Sequence, residues 1–319
     1  MKKLVFGIYP GGAAGTDNGI AVGNPDNPQL IRYALNELYA GKGPFLVRAY
    51  LHYCGNGEFK SPAPSDPEQY VNHIMKMDLV LCYQSCDGNL EDWKDFIRRT
   101  IREYGPSLAK IQIGEEPNLK GVPSVDGDSP NVRTAVVEGV IAAGEEVLKH
   151  GYDIQVGFNG VPTFDPGNDF WREIGHLAKG TKFHECLDYV GLDFFPDVFR
   201  PIPAEKLPTS IEGVLQHYRQ VSLNEANISA NVDLHITENG WATSTDRSEE
   251  KQAEIIETNI RTIHSLSDEF NITHYELFDL RDADSSNPDI FHQFGIMKDD
   301  YTPKKAFNTY KSMMQQLSV

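Results

Sequence analysis

Two glutamates, Glu116 and Glu238, stand where carboxylate chemistry can be built. Glu116 lies in Gly114-Glu115-Glu116-Pro117-Asn118, directly after the run Ile111-Gln112-Ile113. Glu238 lies in Thr237-Glu238-Asn239-Gly240-Trp241, directly after Leu234-His235-Ile236. Hydrolysis of a glycosidic bond takes one protonated carboxyl to donate to the leaving oxygen. It takes a second, ionised carboxyl to attack the sugar carbon or to activate a water. Neighbouring carboxyls push their pKa values apart, so one pair supplies an acid and a base at the same pH. Either glutamate alone reads best as the solvated start of a loop. The pair carries meaning only if one fold brings both strand ends to the same face.

Short β-rich runs alternate with longer segments of helical periodicity, eight times over. The strand candidates are Leu4–Tyr9, Phe45–Tyr53, Asp78–Tyr83, Lys110–Gly114, Ile154–Phe158, Tyr189–Phe195, Leu234–Thr237 and His274–Asp279. Most are near-continuous apolar runs, as expected of strands buried on both faces of a parallel sheet. Helices are expected over Gln29–Tyr39, Pro67–Met77, Leu90–Tyr104, Val132–His150, Phe170–Ala178, Ser210–Glu225, Ser248–Phe270 and Pro303–Leu317. Asp66-Pro67-Glu68 and Ser248-Glu249-Glu250 supply start signals for two of them. The alternation points to an α/β protein, a (β/α)8 TIM barrel forming a single domain over residues 1–319. A doubly wound open sheet fits less well, because Gly11-Gly12-Ala13-Ala14-Gly15 lacks the spacing of a phosphate-binding fingerprint. In a barrel, the fourth and seventh strand ends place Glu116 and Glu238 on one face, across the mouth from each other. The long loops 118–131, 197–209 and 282–293 fall on that same rim.

Bulk composition narrows the partners. A formal net charge of −17 argues against nucleic acid, anionic membranes and anionic substrates, and the cations Lys94, Arg98, Arg99 and Arg102 read as a solvated helix face. A neutral substrate fits best, and the paired glutamates would make it a small-molecule carbohydrate. No run approaches the ~18 apolar residues of a membrane span. The start, Met1-Lys2-Lys3 then Leu4–Tyr9, has too short an apolar run for a secretory leader and serves better as the first strand, so a cytoplasmic location is expected. Assembly as a monomer or a homodimer suits such a chain equally. Cys54, Cys82, Cys86 and Cys186 show neither a disulfide framework nor zinc-knuckle spacing and read as ordinary buried thiols; a metal or redox pair of Cys54 with Cys86 is the minor alternative.

Glu116-Pro117 after the fourth strand and Thr237-Glu238-Asn239-Gly240 after the seventh resemble the two signatures of glycoside hydrolase clan A, a superfamily of retaining enzymes on a (β/α)8 barrel. The closing segment from Phe294-Gly295 through Pro303-Lys304-Lys305-Ala306-Phe307 is similar to the end of many members. The resemblance spans nearly the whole chain. It implies Glu116 as acid/base and Glu238 as nucleophile, with no metal and no organic cofactor. Three positions depart from the clan pattern. Glu115 replaces the Asn that usually precedes the acid/base and contacts the sugar 2-hydroxyl. Asp193-Phe194-Phe195 replaces the sixth-strand Tyr that hydrogen-bonds the nucleophile. Phe278 or Tyr275, with Asp279 and Arg281 nearby, must replace the sugar-stacking Trp of the eighth strand.

Further rim candidates follow from the strand ends. Arg48, inside the second strand, is placed to hold Glu238 ionised or to pair with a structural carboxylate. Tyr9, His52, Tyr83, Asn159 and Trp241 offer the mixture of rings and polar groups that sugars require, with Trp241 the leading candidate for stacking and Glu115, Asp193 and Asn159 as polar contacts. A catalytically inactive carbohydrate-binding relative on the same barrel is the alternative, motivated by Glu115 and the missing Tyr. A metal-dependent hydrolase would have to gather His52, Asp193 and Asp279, and no two histidines show an H-x-H spacing.

Overall fold

In the computed structural model, which describes residues 2–16, 19–21, 23–41, 43–55 and 66–319, the apolar runs become eight parallel strands closed into a barrel. In chain order they are Val5–Ile8, Phe45–Tyr53, Met75–Tyr83, Leu108–Ile113, Gln155–Gly160, Tyr189–Asp193, Asp233–Asn239 and Ile272–Leu277. Each pairs with its sequence neighbours, and the first closes on the eighth. This is the (β/α)8 architecture expected from the alternation. A small antiparallel hairpin, Ala14–Thr16 with Gly19–Ala21, follows the first strand.

Helices form where apolar stripe and cap coincide. Leu90–Tyr104 buries Trp93, Ile97, Thr100 and Ile101, spaced four, three and one residues apart along one face, and the Asn89 side chain accepts from the Asp92 N–H at its start. Val132–His150 ends at Gly151, whose φ of 64° lies in the left-handed region that glycine adopts without strain. Ser248 caps Glu249–Ser265 by accepting from Lys251 N–H. The remaining long helices are Pro28–Leu38, Phe170–Ala178, Leu207–His217 and Lys305–Leu317.

Two expectations are corrected. The helix expected over Pro67–Met77 does not form; residues 67–70 make a turn, and the third strand starts at Met75. Asn72 explains the difference. Its side-chain oxygen accepts from the N–H groups of Ile74 and Met75, offering the backbone a turn in place of a helix. The helix expected over Ser210–Glu225 begins at Leu207 with Pro208 in its first turn, then passes through a π-helical turn, Tyr218–Ser222.

The barrel interior is unusually charged. Lys110 on the fourth strand pairs with Glu276 on the eighth, a contact that crosses the lumen because those strands are not neighbours. Asp78 lies between Lys110, at 3.5 Å, and Arg48, at 2.6 Å. Branched apolar side chains are the usual filling of such a barrel. Here a chain of buried ions links its deep interior to its upper rim.

Candidate active site

Glu116 and Glu238 line one cavity of about 940 Å³ at the C-terminal ends of the strands. Glu238 is the penultimate residue of the seventh strand, and Glu116 lies three residues beyond the fourth. The backbone at Glu116 has φ of 44°, a left-handed conformation that costs a non-glycine residue about 1–3 kcal/mol unless its surroundings enforce it. The surroundings do so. The Glu116 N–H donates to Asn159 Oδ1 at 2.8 Å, and its carbonyl accepts from Leu119 N–H at 2.9 Å. One residue earlier, Asp126 Oδ2 accepts from the N–H groups of Glu115 and Tyr83 at 2.6 and 2.7 Å, tying the loop to the third strand.

Arg48 organises the floor. Its Nη1 donates to Asp78 at 2.6 Å, and its Nη2 donates to Gln112 at 3.1 Å and to Glu115 at 3.3 Å. Its Nε donates to the Tyr50 hydroxyl at 2.8 Å and lies 3.4 Å from Glu238 Oε1. The Tyr50 hydroxyl in turn donates to that same Glu238 oxygen. Arg48 therefore pairs with a structural carboxylate and faces Glu238 at once; it lowers the pKa of Glu238, which burial and Asp193 nevertheless raise to about 8. Tyr50 is the residue the sequence reading missed, and it fills the gap left by the absent sixth-strand Tyr. Its signal is its place two residues after Arg48, which puts both on one face of the second strand.

Glu115 is buried, and its Oε2 accepts from Gln112 at 2.7 Å and from Arg48 and Asn159 at 3.3 Å each. Asp193 accepts from Thr237 at 2.5 Å and from Asn159. Asn159 itself is fully buried and bonds Glu115, Glu116 and Asp193 without lining the cavity, so it positions all three. Glu115, Glu116 and Asp193 each bring a carboxylate oxygen within 4.8 Å of the others, an arrangement that can hold a cation. That group contains neither His52 nor Asp279 among its members.

Four carboxyls around one guanidinium cannot all be charged cheaply. Burial first, then repulsion from Asp193, raises Glu238 to about 8 against the pull of Arg48 and Tyr50. Glu116 is driven well above the ordinary carboxylate range by burial and by the charges of Asp193 and Glu238. Glu115 is raised by burial and by Glu238 and Asp193. The two partners at Glu238 set the order. Arg48 and Tyr50 both favour its ionised form, whereas Glu116 makes no ion pair among the described residues, so Glu238 gives up its proton before Glu116 does.

The other candidates divide. Tyr9, His52 and Phe278 line the cavity with Glu115 and Asp193, and Tyr9 stacks on Phe278 with ring centroids 5.4 Å apart. Trp241 is not brought to the cavity. Its indole N–H donates to Asp197, and Arg247 covers its ring at 4.2 Å, so it packs the rim from behind. Tyr275 is a core residue whose hydroxyl donates to Asn239 at 2.8 Å, and Tyr83 packs against Tyr53 and Trp93. Asp279 is buried away from the cavity lining, and Arg281 pairs with Asp26 at 2.7 Å. The rim loops contribute rings that strand periodicity does not announce, among them Phe164, Phe195, Phe199, Phe291 and Phe294. Cys54 and Cys82 are buried as expected, whereas Cys86 is exposed and Cys186 partly so.

No family model matches the sequence, and no curated protein is similar to it. Solved structures are similar in fold. A family 39 glycoside hydrolase from the gut symbiont Bacteroides cellulosilyticus WH2 superposes with a TM-score of 0.62 at 16% identity, over 99% of this chain and 64% of that one. A β-glucuronidase from Ruminococcus gnavus in complex with uronic deoxynojirimycin gives 0.62 at 14% identity, over 98% of this chain and 50% of that one. A family 2 β-galacturonidase from Eisenbergiella tayi bound to galacturonate gives 0.58 at 12%, over 91% and 48%. The chain thus spans roughly half to two thirds of the length of these structures. Among the described residues, no helix is long and apolar enough to cross a membrane. This chain shares its eight-stranded barrel fold with glycoside hydrolases.

Proposed function

We propose that the chain is a retaining β-glycoside hydrolase acting on a neutral saccharide or glycoside, with the site borne by one barrel. The observation that carries this reading is the pair of donors converging on a single oxygen of Glu238, Arg48 Nε at 3.4 Å and the Tyr50 hydroxyl, in a cavity that Glu116 also lines. Glu238 Oε attacks the anomeric carbon, and the bond from that carbon to the leaving oxygen breaks as Glu116 delivers its proton there. A glycosyl ester of Glu238 results. Glu116, now ionised, takes a proton from water; the water oxygen attacks the anomeric carbon and Glu238 leaves. These steps draw on side chains alone.

Charge supports a neutral substrate. The glucuronidase and galacturonidase structures are bound to uronic ligands, which carry a carboxylate. Among the described residues, six acidic side chains line this cavity, Glu115, Glu116, Asp165, Asp193, Asp197 and Glu238, against His52 and Arg200, the latter exposed at the outer lip, with Arg48 beneath the floor already engaged by Asp78, Glu115 and Glu238. A carboxylate on the sugar ring would add to the crowding of acidic groups that already raises the proton affinity of Glu115, Glu116 and Glu238.

Two measurements test the reading. Wild-type protein is expected to release nitrophenol from at least one member of a panel of 4-nitrophenyl β-glycosides of neutral pyranoses, and Glu238→Gln to lose that activity. The alternative, a binding protein, draws on the crowding of Glu115, Glu116 and Asp193 where the clan has an Asn. It expects no turnover of any member and saccharide binding that survives Glu238→Gln. The second measurement is the pH profile. The acidic limb of kcat/KM reports protonation of Glu238 and is expected at neutral to mildly alkaline pH, near its value of about 8. Tyr50 donates to the ionised form and lowers this value, so Tyr50→Phe is expected to move the limb to higher pH. An unmoved limb would separate Tyr50 from the ionisation of Glu238.

A further inference from the structure

The carboxyls of Glu115, Glu116, Asp193 and Glu238 gather at the floor of the cavity, and its outer walls are mainly apolar, with Asp165 and Arg200 exposed at the lip. Floor contacts suffice for one sugar ring: Glu115, Glu116, Asp193 and Glu238, with Tyr50 and His52 beside them. From there a continuous series of rings runs outward. Tyr50 meets Tyr9 edge-on at 5.2 Å, Tyr9 stacks on Phe278 at 5.4 Å, and Phe278 meets Phe195 at 6.0 Å. Phe195 then meets Phe199 at 6.3 Å, and Phe199 meets Phe291 at 5.8 Å. Phe199 is 57% exposed, and Phe164, on another rim loop lining the cavity, is 61% exposed. Ile20, Val122, Val125 and Val214 extend the apolar lining.

A volume of about 940 Å³ lies near the top of the ~300–1,000 Å³ range of pockets that enclose drug-sized ligands, so it holds more than one sugar ring. A second sugar in the outer part would bring hydroxyls against phenylalanines, which can neither donate nor accept. Each hydroxyl buried without a partner is unfavourable. Sugar platforms commonly use Trp or Tyr, whose polar tips bond hydroxyls at the ring edge. The outer rings here are all Phe. Of the polar groups near them, the Asp197 carboxylate is already taken by Ile202 N–H and the Trp241 indole, and Asp165 and Arg200 are exposed at the outer lip.

We propose that the outer half of the cavity is a subsite for an apolar aglycone, so that preferred substrates are glycosides of an alkyl or aryl alcohol and not oligosaccharides. This inference rests on the glycosidase reading for its chemistry, but the subsite can be tested without turnover. In whichever sugar series the nitrophenyl panel selects, kcat/KM for alkyl β-glycosides below their micelle-forming concentrations is expected to rise about two- to fourfold per added methylene between methyl and hexyl. The corresponding disaccharide is expected to be at least tenfold poorer than the hexyl glycoside. Phe199→Ser and Phe164→Ser, at exposed rim positions, should flatten the chain-length dependence, lowering kcat/KM for the hexyl glycoside at least fivefold more than for the methyl glycoside. A flat series in the wild type, or a preference for the disaccharide, overturns the proposal while leaving the hydrolase reading standing.

A binding arm uses the neutral apolar fluorophore N-phenyl-1-naphthylamine. It should bind the wild type, be displaced by octyl β-glucoside and not by cellobiose, and bind at least fivefold more weakly to the Phe199→Ser, Phe164→Ser double variant. Displacement without turnover of any glycoside would sink the hydrolase reading and keep the subsite. A fluorophore that does not bind, or binds the double variant equally well, overturns the proposal. So does a chain whose mass in solution doubles and reverts with Phe199→Ser, since a second copy would then be the occupant of the rings.

Discussion

Glu238→Gln is expected to lower kcat on an activated aryl β-glycoside by about 10⁴-fold or more, the scale found when the nucleophile of a covalent catalyst is removed. The amide is nearly isosteric with the carboxyl, still accepts from Tyr50 and Arg48, and cannot form the glycosyl ester. Glu116→Gln should behave differently. General acid catalysis contributes about 10²–10⁴-fold, and its loss is felt in full only where the leaving group needs a proton. With a dinitrophenyl leaving group, bond cleavage should be little affected, and the slow step should become hydrolysis of the ester. Steady-state and burst kinetics on both variants check this. Equal losses on good and poor leaving groups at Glu116 would deny it the acid role. Activity surviving in Glu238→Gln would deny the nucleophile.

The second large effect is expected on stability. Arg48→Met should reduce the free energy of unfolding by about 3–5 kcal/mol, the usual result of removing one partner from a buried ion network. Arg48 is 1% exposed and faces Asp78, Glu115 and Glu238, with Gln112 and Tyr50 completing its bonds. After its removal, Asp78 keeps only Lys110, at 3.5 Å, as a cationic partner among the described residues, and Lys110 is already committed to Glu276. The methionine fills much of the volume, so the loss reports charge more than packing. Any active Arg48→Met protein should also show its acidic limb at higher pH, because the cation favouring ionised Glu238 is gone. Denaturant unfolding gives the stability change. A loss under about 1 kcal/mol would mean that the guanidinium does not organise the floor.

Much of the barrel was legible because it is periodic. The helix Leu90–Tyr104 falls where its stripe of Trp93, Ile97 and Ile101 and its Asn89 cap coincide, and the second strand, Phe45–Tyr53, is a nine-residue run with no competing signal. The segment 67–77 misled because Pro67 does open a turn, while the feature that ends it, the Asn72 side chain taking two backbone N–H groups, is local and easily outvoted by periodicity. In the candidate site, strand-end residues could be placed and loop residues could not. Glu115, Asp193 and Tyr9 reach the cavity because barrel topology fixes where strand ends go. Trp241, two residues past the seventh strand, turns instead behind the rim to Asp197, a direction set by a loop contact made forty-four residues away in sequence. Phe195 and Phe199 face the cavity for the same kind of reason. Asp126, which bonds the N–H groups of Glu115 and Tyr83, lies mid-loop where nothing in the sequence marks it. Tyr50 was within reach of a period-two reading from Arg48, but a tyrosine inside an apolar strand looks like packing until its hydroxyl is seen at Glu238.

The account stands on covalent attack by Glu238, and the most direct test is to trap the ester. A 2,4-dinitrophenyl 2-deoxy-2-fluoro-β-glycoside of the sugar series that is turned over slows both chemical steps, because fluorine at C2 destabilises positive charge at the anomeric carbon. Its good leaving group spares the first step more than the second, so the intermediate accumulates. Intact mass spectrometry is predicted to show one fluoroglycosyl group per chain, with a stoichiometric burst of dinitrophenolate, and peptide mapping to place it on Glu238. Turnover of the parent glycoside with no adduct, or an adduct on Glu115, Glu116 or Asp193, would contradict the account.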